Sequence, residues 1–262
     1  MIATELRREF PATESTVVRI VTQGDVIVRH EPTESVTVEV RCSDEIDLAP
    51  VNIRSEADTV IVEVPPLLSD APGRRGISID LGFWSFSAGD ARADLTTLVT
   101  LPEGASLDIA ARAAGDVAIA GRSGRVAIKT ASGDITVGAL AEGRLTAASG
   151  DITVDTAAGR LEVRTGSGDV RIGRASGTVE ATSGSGDLDV GVFDGDTVTL
   201  KSGSGDLSVG LPRDVPIWQD VHSVTGDVSV TLAPAGQPDE GQRFITVRAS
   251  TASGDITLRN AS

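Results

Sequence analysis

The chain is poor in aromatic side chains: five Phe, two Trp and no Tyr make up 3% of its 262 residues. A glycan-cleaving or glycan-binding site wants rings to lie against sugars, and the regular part of the chain offers only Phe193. The single cysteine, Cys42, excludes an internal disulfide framework, and the two histidines, His30 and His222, form no metal-ligand spacing. Basic residues are also scarce. The 23 Lys and Arg against 38 Asp and Glu leave a formal charge of −15. That balance argues against nucleic acid or an anionic membrane surface as the main partner. No window approaches the about 18 unbroken apolar residues of a spanning helix. The opening MIATELRREF lacks the basic-then-apolar order of a secretory leader. A cytoplasmic protein with no direct membrane span is expected.

What the chain has in quantity is glycine, 29 of them, and a repeat. From Gly115 to Val209 one phrase recurs, as in SGDITV, SGDITV, SGDVRI, SGDLDV and SGDLSV. The Asp of its Gly-Asp pair falls at 116, 134, 151, 169, 187 and 206, steps of 18, 17, 18, 18 and 19 residues. A period held this long marks a solenoid. Each repeat divides into two halves of about nine residues, and each half alternates apolar and polar side chains over about five positions, the pattern of a half-buried strand. The spacing predicts rungs of about 18 residues with two short strands each. It also predicts two inward stacks: Ile135, Ile152, Val170, Leu188 and Leu207, and beside it Val137, Val154, Ile172, Val190 and Val209. One rung cannot bury its own apolar face, so the unit of stability is the stack. The recurring Gly supplies a corner, and the Ser and Asp beside it suit Ser- and Asx-turns.

The reading along the chain is an irregular N-terminal β region over residues 1–94, continuous with a β-solenoid over 95–262. Strands are expected at Gly24–Val28, Val36–Val40 and Val60–Val64. A long loop over 65–94 opens with Pro65-Pro66 and carries Leu81, Phe83, Trp84 and Phe86. These four either cover an exposed end of the core or contact a partner, since aromatic anchors dominate interface energetics. The rungs are regular over 115–209 and looser over 210–262, where the Asp steps grow to 21 and 28 and bulkier residues such as Trp218 and Phe244 suggest a cap.

The recurring S-G-D-[ILV]-x-V, the LPEGAS stretch at Leu101 to Ser106, and the segment Ile217 to Asp227 together resemble the bacterial putative-adhesin, or toastrack, family of β-strand-repeat proteins. The resemblance covers most of the chain. It implies a right-handed parallel β-helix-like solenoid, all-β, linked to adhesion by name and to scaffolding or envelope-stress systems by association. It carries over no catalytic residues.

The Asp ladder at 134, 151, 169, 187 and 206 is the one constellation that suggests an ion, because Ca²⁺ wants oxygen ligands. Calcium-binding β-rolls follow G-G-x-G-x-D-x-U-x instead, and a structural turn role accounts for these carboxylates. No cofactor or metal is expected, and no enzyme: the two histidines lie far apart in sequence and the loops are too short to wall a cleft. Arg144, Arg160, Arg164, Arg171 and Arg174 read as outward ion-pair partners of the acidic residues. The functional expectation is a rigid acidic scaffold for protein–protein assembly, through a protein partner or self-association. The alternative is a glycan-, Ca²⁺- or other ligand-binding or adhesive module using the Gly-Asp edge.

Overall fold

The computed structural model describes residues 5–13, 15–42, 48–65, 77–80, 85–88, 95–232 and 243–261, and of 77–80 and 85–88 only the backbone. Alternating Val, Ile and Leu against Thr, Asp and Arg leaves strands, bends and turns, with no helix among the described residues. The N-terminal strands are β1 (Glu5–Pro11), β2 (Val17–Thr22), β3 (Asp25–Glu31), β4 (Ser35–Cys42), β5 (Asn52–Glu56) and β6 (Thr59–Glu63). A separate hairpin, β7 (Ile77–Asp80) and β8 (Ser85–Ala88), precedes β9 (Leu95–Pro102) and β10 (Ser106–Ala114). The regular part holds β11 (Val117–Ser132), β12 (Ile135–Ser149), β13 (Ile152–Ala157), β14 (Leu161–Ser167), β15 (Val170–Ala175), β16 (Thr178–Ser185), β17 (Leu188–Phe193), β18 (Thr197–Ser204) and β19 (Leu207–Leu211). Last come β20 (Ile217–Thr225), β21 (Val228–Thr231), β22 (Ile245–Ser253) and β23 (Ile256–Asn260).

These strands build a two-faced parallel solenoid. One face runs β6, β2, β10, the second half of β11, the second half of β12, β14, β16, β18, β22 and β20. The other runs β9, β3, the first half of β11, the first half of β12, β13, β15, β17, β19, β23 and β21. Strands β11 and β12 turn the corner and so belong to both. Ile135 pairs in register with Ile152, Ile152 with Val170, Val170 with Leu188 and Leu188 with Leu207, as the repeat predicts. Val137, Val154, Ile172, Val190 and Val209 form the neighbouring column, and all ten side chains are buried. A third inward column, on the opposite face, is hydroxylic or small: Thr130, Ala147, Thr165, Ser183, Ser202 and Thr251. These hydroxyls donate to backbone carbonyls at the corner, Thr165 to Ser167 at 3.0 Å and Ser202 to Gly186 at 3.2 Å, so their burial leaves no orphaned donor.

The corner itself demands glycine twice over. Gly168 has φ +128, a conformation closed to L side chains, and a Cβ there would overlap the carbonyl oxygen of Gly150 on the next rung. The Asp that follows works between rungs rather than within a local turn, which corrects the Asx-turn expectation. The N–H of Asp151 donates to Asp134 Oδ1 (2.9 Å), that of Asp169 to Asp151 (2.8 Å), and that of Asp187 to Asp169 (3.0 Å). The ladder runs on through Asp206 and Asp255 to Asp227.

Stacking order departs from chain order at both ends. The first parallel rung, β2 with β3, lies inside the later β6 with β9. The last rung, β22 with β23, lies inside the earlier β20 with β21. The reason is burial. The inward sets of the last rung, Ile245, Val247, Ala249 and Thr251 on β22 and Ile256 and Leu258 on β23, are apolar apart from Thr251, and all are buried. The inward set of β20 has Gln219 where β22 has Val247, and that amide tolerates the outermost place.

Candidate interaction surface at the open end

The two ends of the solenoid differ in chemistry. Beyond β9 the chain turns antiparallel, with β4 on β9 and β1 on β4, while β5 pairs antiparallel with β6. The outermost strands there carry charge: Glu5, Arg7, Arg8 and Glu9 on β1, Arg54 and Glu56 on β5. Arg54 Nη1 meets Glu63 at 2.8 Å, and that contact holds the Glu63 carboxyl below its ordinary range. Charged, short, reversed edge strands discourage further pairing.

The opposite end has no such cover among the described residues. Strand β20 pairs only with β22, and β21 only with β23. The register Ile217 to Ile245, with the Ile245 N–H donating to Pro216 O, fixes the hydrogen-bond parity of β20. Even-numbered residues turn their N–H and C=O toward β22, so Gln219, Val221 and Ser223 point theirs at the free edge. Apolar side chains gather here: Trp218 is 50% exposed, Val224 69%, Val228 44%, Val230 40% and Phe244 50%. Val228 and Val230 pair with Ile256 and Leu258 and face the interior, so their exposure measures the missing next rung. The Arg248 guanidinium sits 5.6 Å from the Trp218 ring centroid, a cation–π contact that holds the indole on the outer face. Asp227 ends the carboxylate ladder at this same end. The arrangement is a template for strand addition.

Of the four residues singled out in the 65–94 segment, one has a described backbone. Leu81, Phe83 and Trp84 lie outside the described residues. Phe86 belongs to β8, its backbone paired with Ile79, and its side chain lies outside the description. Trp218 and Phe244, the bulky residues of the loosened segment after Val209 that suggest a cap in the sequence, are each half exposed. Val224 stands at an outward position of β20, whereas the exposure of Val228 and Val230 depends on which rung stacks last, and the repeat carries no signal for that.

Other constellations are committed to structure. One carboxylate oxygen of each of Asp134, Asp151, Asp169, Asp187 and Asp206 is taken by the next rung's N–H, and among the described residues no group of three or more His, Cys, Asp or Glu is placed to hold a metal ion. On the outer faces Arg144 and Arg164 flank Glu162 at 2.9 and 2.8 Å, Arg160 reaches Glu180 at 3.5 Å and Arg171 reaches Asp169 at 3.0 Å. His30 and Ser123 form a base–hydroxyl pair, Nε2 to Oγ at 2.8 Å, with Nδ1 against Pro102 O at 2.8 Å. That geometry resembles half of a nucleophilic site, but Ser123 is 1% exposed and no reactant could reach its oxygen. No helix among the described residues is long and apolar enough to cross a membrane.

The sequence model of the family described as Toastrack DUF4097 matches residues 81–262. No curated protein matches the chain. Among solved structures, a putative adhesin from Bacteroides fragilis is similar over 97% of this chain and 96% of its own, at 11% identity and TM-score 0.55. A putative lipid binding protein from Parabacteroides distasonis is similar over 97% and 96%, at 14% identity and TM-score 0.55. Likeness at these identities establishes a shared fold.

Proposed function

The chain belongs to the Toastrack family, and from that premise we propose that it is a non-catalytic, adhesion-like interaction module, a rigid acidic solenoid that engages protein at its open end. The observation that carries this reading is the free edge of β20 and β21 with exposed Trp218, Val224, Val228 and Val230 beside it. Among the described residues the exposed large apolar side chains are these four and Phe244. A sheet edge supplies affinity through main-chain hydrogen bonds, and neighbouring apolar side chains supply selectivity. A description such as adhesin, carried by a structure of the same fold, accords with a protein that works by contact. The Gly-Asp edge is the weaker candidate surface because each carboxylate there already serves the adjoining rung. Leu81, Phe83, Trp84 and Phe86 are retained as a second proposed contact.

A photo-crosslinking residue placed at Val224 or at Val230 in the full chain, expressed in its native host, tests the reading. Adducts of higher mass are expected from those two positions and not from Thr136 or Arg171 on the rod's sides. Adducts confined to the side positions, or absent from all four, overturn it.

A further inference from the structure

We infer that the partner at the open end is a second copy of this chain, its β20 pairing antiparallel with the first copy's β20 about a two-fold axis at Val221. The inference rests on the reading of this end as the contact surface and names what binds there. Three features of β20 support it.

The first is parity. Gln219, Val221 and Ser223 present their N–H and C=O groups to the free edge. An antiparallel strand centred on Val221 sets Val221 opposite the other copy's Val221, and Gln219 opposite the other copy's Ser223. All of these are hydrogen-bonding positions, so both edges are satisfied together. The second is charge. In that register the outward Asp220 faces the other copy's His222, and the two-fold makes this contact twice. Cross-strand pairs of opposite or hydrogen-bonding character stabilise a sheet, and the non-hydrogen-bonded positions they occupy bring side chains closest. The third is shape. Trp218 meets the other copy's Val224, an aromatic against a β-branched side chain, again twice. Inward, the two Val221 residues prolong the column that runs through Leu200 and Ala249.

The alternative geometry, head to tail, would lay this edge on β1 and β5. Those strands offer Glu5, Arg7, Arg8, Glu9, Arg54 and Glu56, while β20 and β21 together carry only Asp220 and His222. The charged end repels strand addition, so the two-fold contact closes a dimer instead of opening a filament.

Light scattering on the purified full chain across a concentration series should show twice the 26.9 kDa chain mass. The substitution His222→Asp sets two carboxylates against two carboxylates and should raise the dimer dissociation constant about tenfold. Combining it with Asp220→His should restore the wild-type constant. A Val221→Cys chain should form a disulfide-linked dimer under mild oxidation, whereas Ser223→Cys should not. Buried Cys42 keeps wild type unlinked as the control. A monomer at every concentration, or a dimer linked by Ser223→Cys but not by Val221→Cys, overturns the inference. A monomer that still yields crosslinked adducts at Val224 loses the dimer and keeps the interaction module; loss of both results removes both.

Discussion

His30 occupies an inward position of β3, beside Leu101 in the adjoining strand and against the Ser123 hydroxyl. Burial pushes its pKa below the ordinary 6.5, outweighing the Pro102 carbonyl and the charge of Glu103, which both push it up. The unfolded chain therefore binds a proton more readily than the folded one. Stability is complete above pH 6.5 and declines as the pH falls from there toward the lower folded value. The melting temperature of wild type should lose its advantage over His30→Gln as the pH drops through that window. A gap that stays constant from pH 8 to 5 would show that His30 is not held as a buried neutral imidazole. The alternation Val26, Val28, His30 shows in the sequence which way the ring points. Its hydroxyl partner lies 93 residues away, and no local pattern could reveal that pairing. Glycine was more transparent, because Gly168 and its equivalents answer to a corner that any 18-residue rung must turn.

At the scale of the element, the Asp ladder links rungs that the columns of Val, Ile and Leu already hold in register. Removing the Asp169 carboxylate leaves the Asp187 N–H without its acceptor and frees Arg171. Water reaches this half-exposed corner, so Asp169→Ala should cost about 1 kcal/mol, the low end for an unmade hydrogen bond. Asp169→Asn keeps an oxygen in place and should cost less. Urea midpoints would rank the two, and equal losses would place the effect in charge rather than in the hydrogen bond. The presence of these carboxylates at every corner was plain from the Gly-Asp spacing. Their direction of action was hidden, because a side chain that bonds the next rung and one that bonds its own turn leave the same letters in the sequence.

For the whole molecule, the repeat announced a stack but not its order. Among the described residues, strands β20 and β21 depend on β22 and β23 for their pairing, although they come first in the chain. Ending the chain at Leu232 should therefore abolish amide-exchange protection over Ile217–Thr225 and Val228–Thr231, residues the truncation does not touch. Protection over β11 to β17 should remain. Retained protection in β20 would mean that it has a neighbour other than β22. The spacing signal fails at this scale for a physical reason: a parallel rung fits above or below its sequence neighbour equally well, and side-chain burial, not chain continuity, decides between the two.

The inverted rungs carry a consequence for synthesis. As the polypeptide leaves the ribosome, residues 217–231 emerge before the strands that hold them in the finished fold. Strands β22 and β23 then dock on β18 and β19 and only afterwards offer β20 and β21 their places. Until β22 and β23 arrive, β18 and β19 end the column as a bare template, so the interval between the making of those two pairs is when this chain is most open to being completed by the wrong copy.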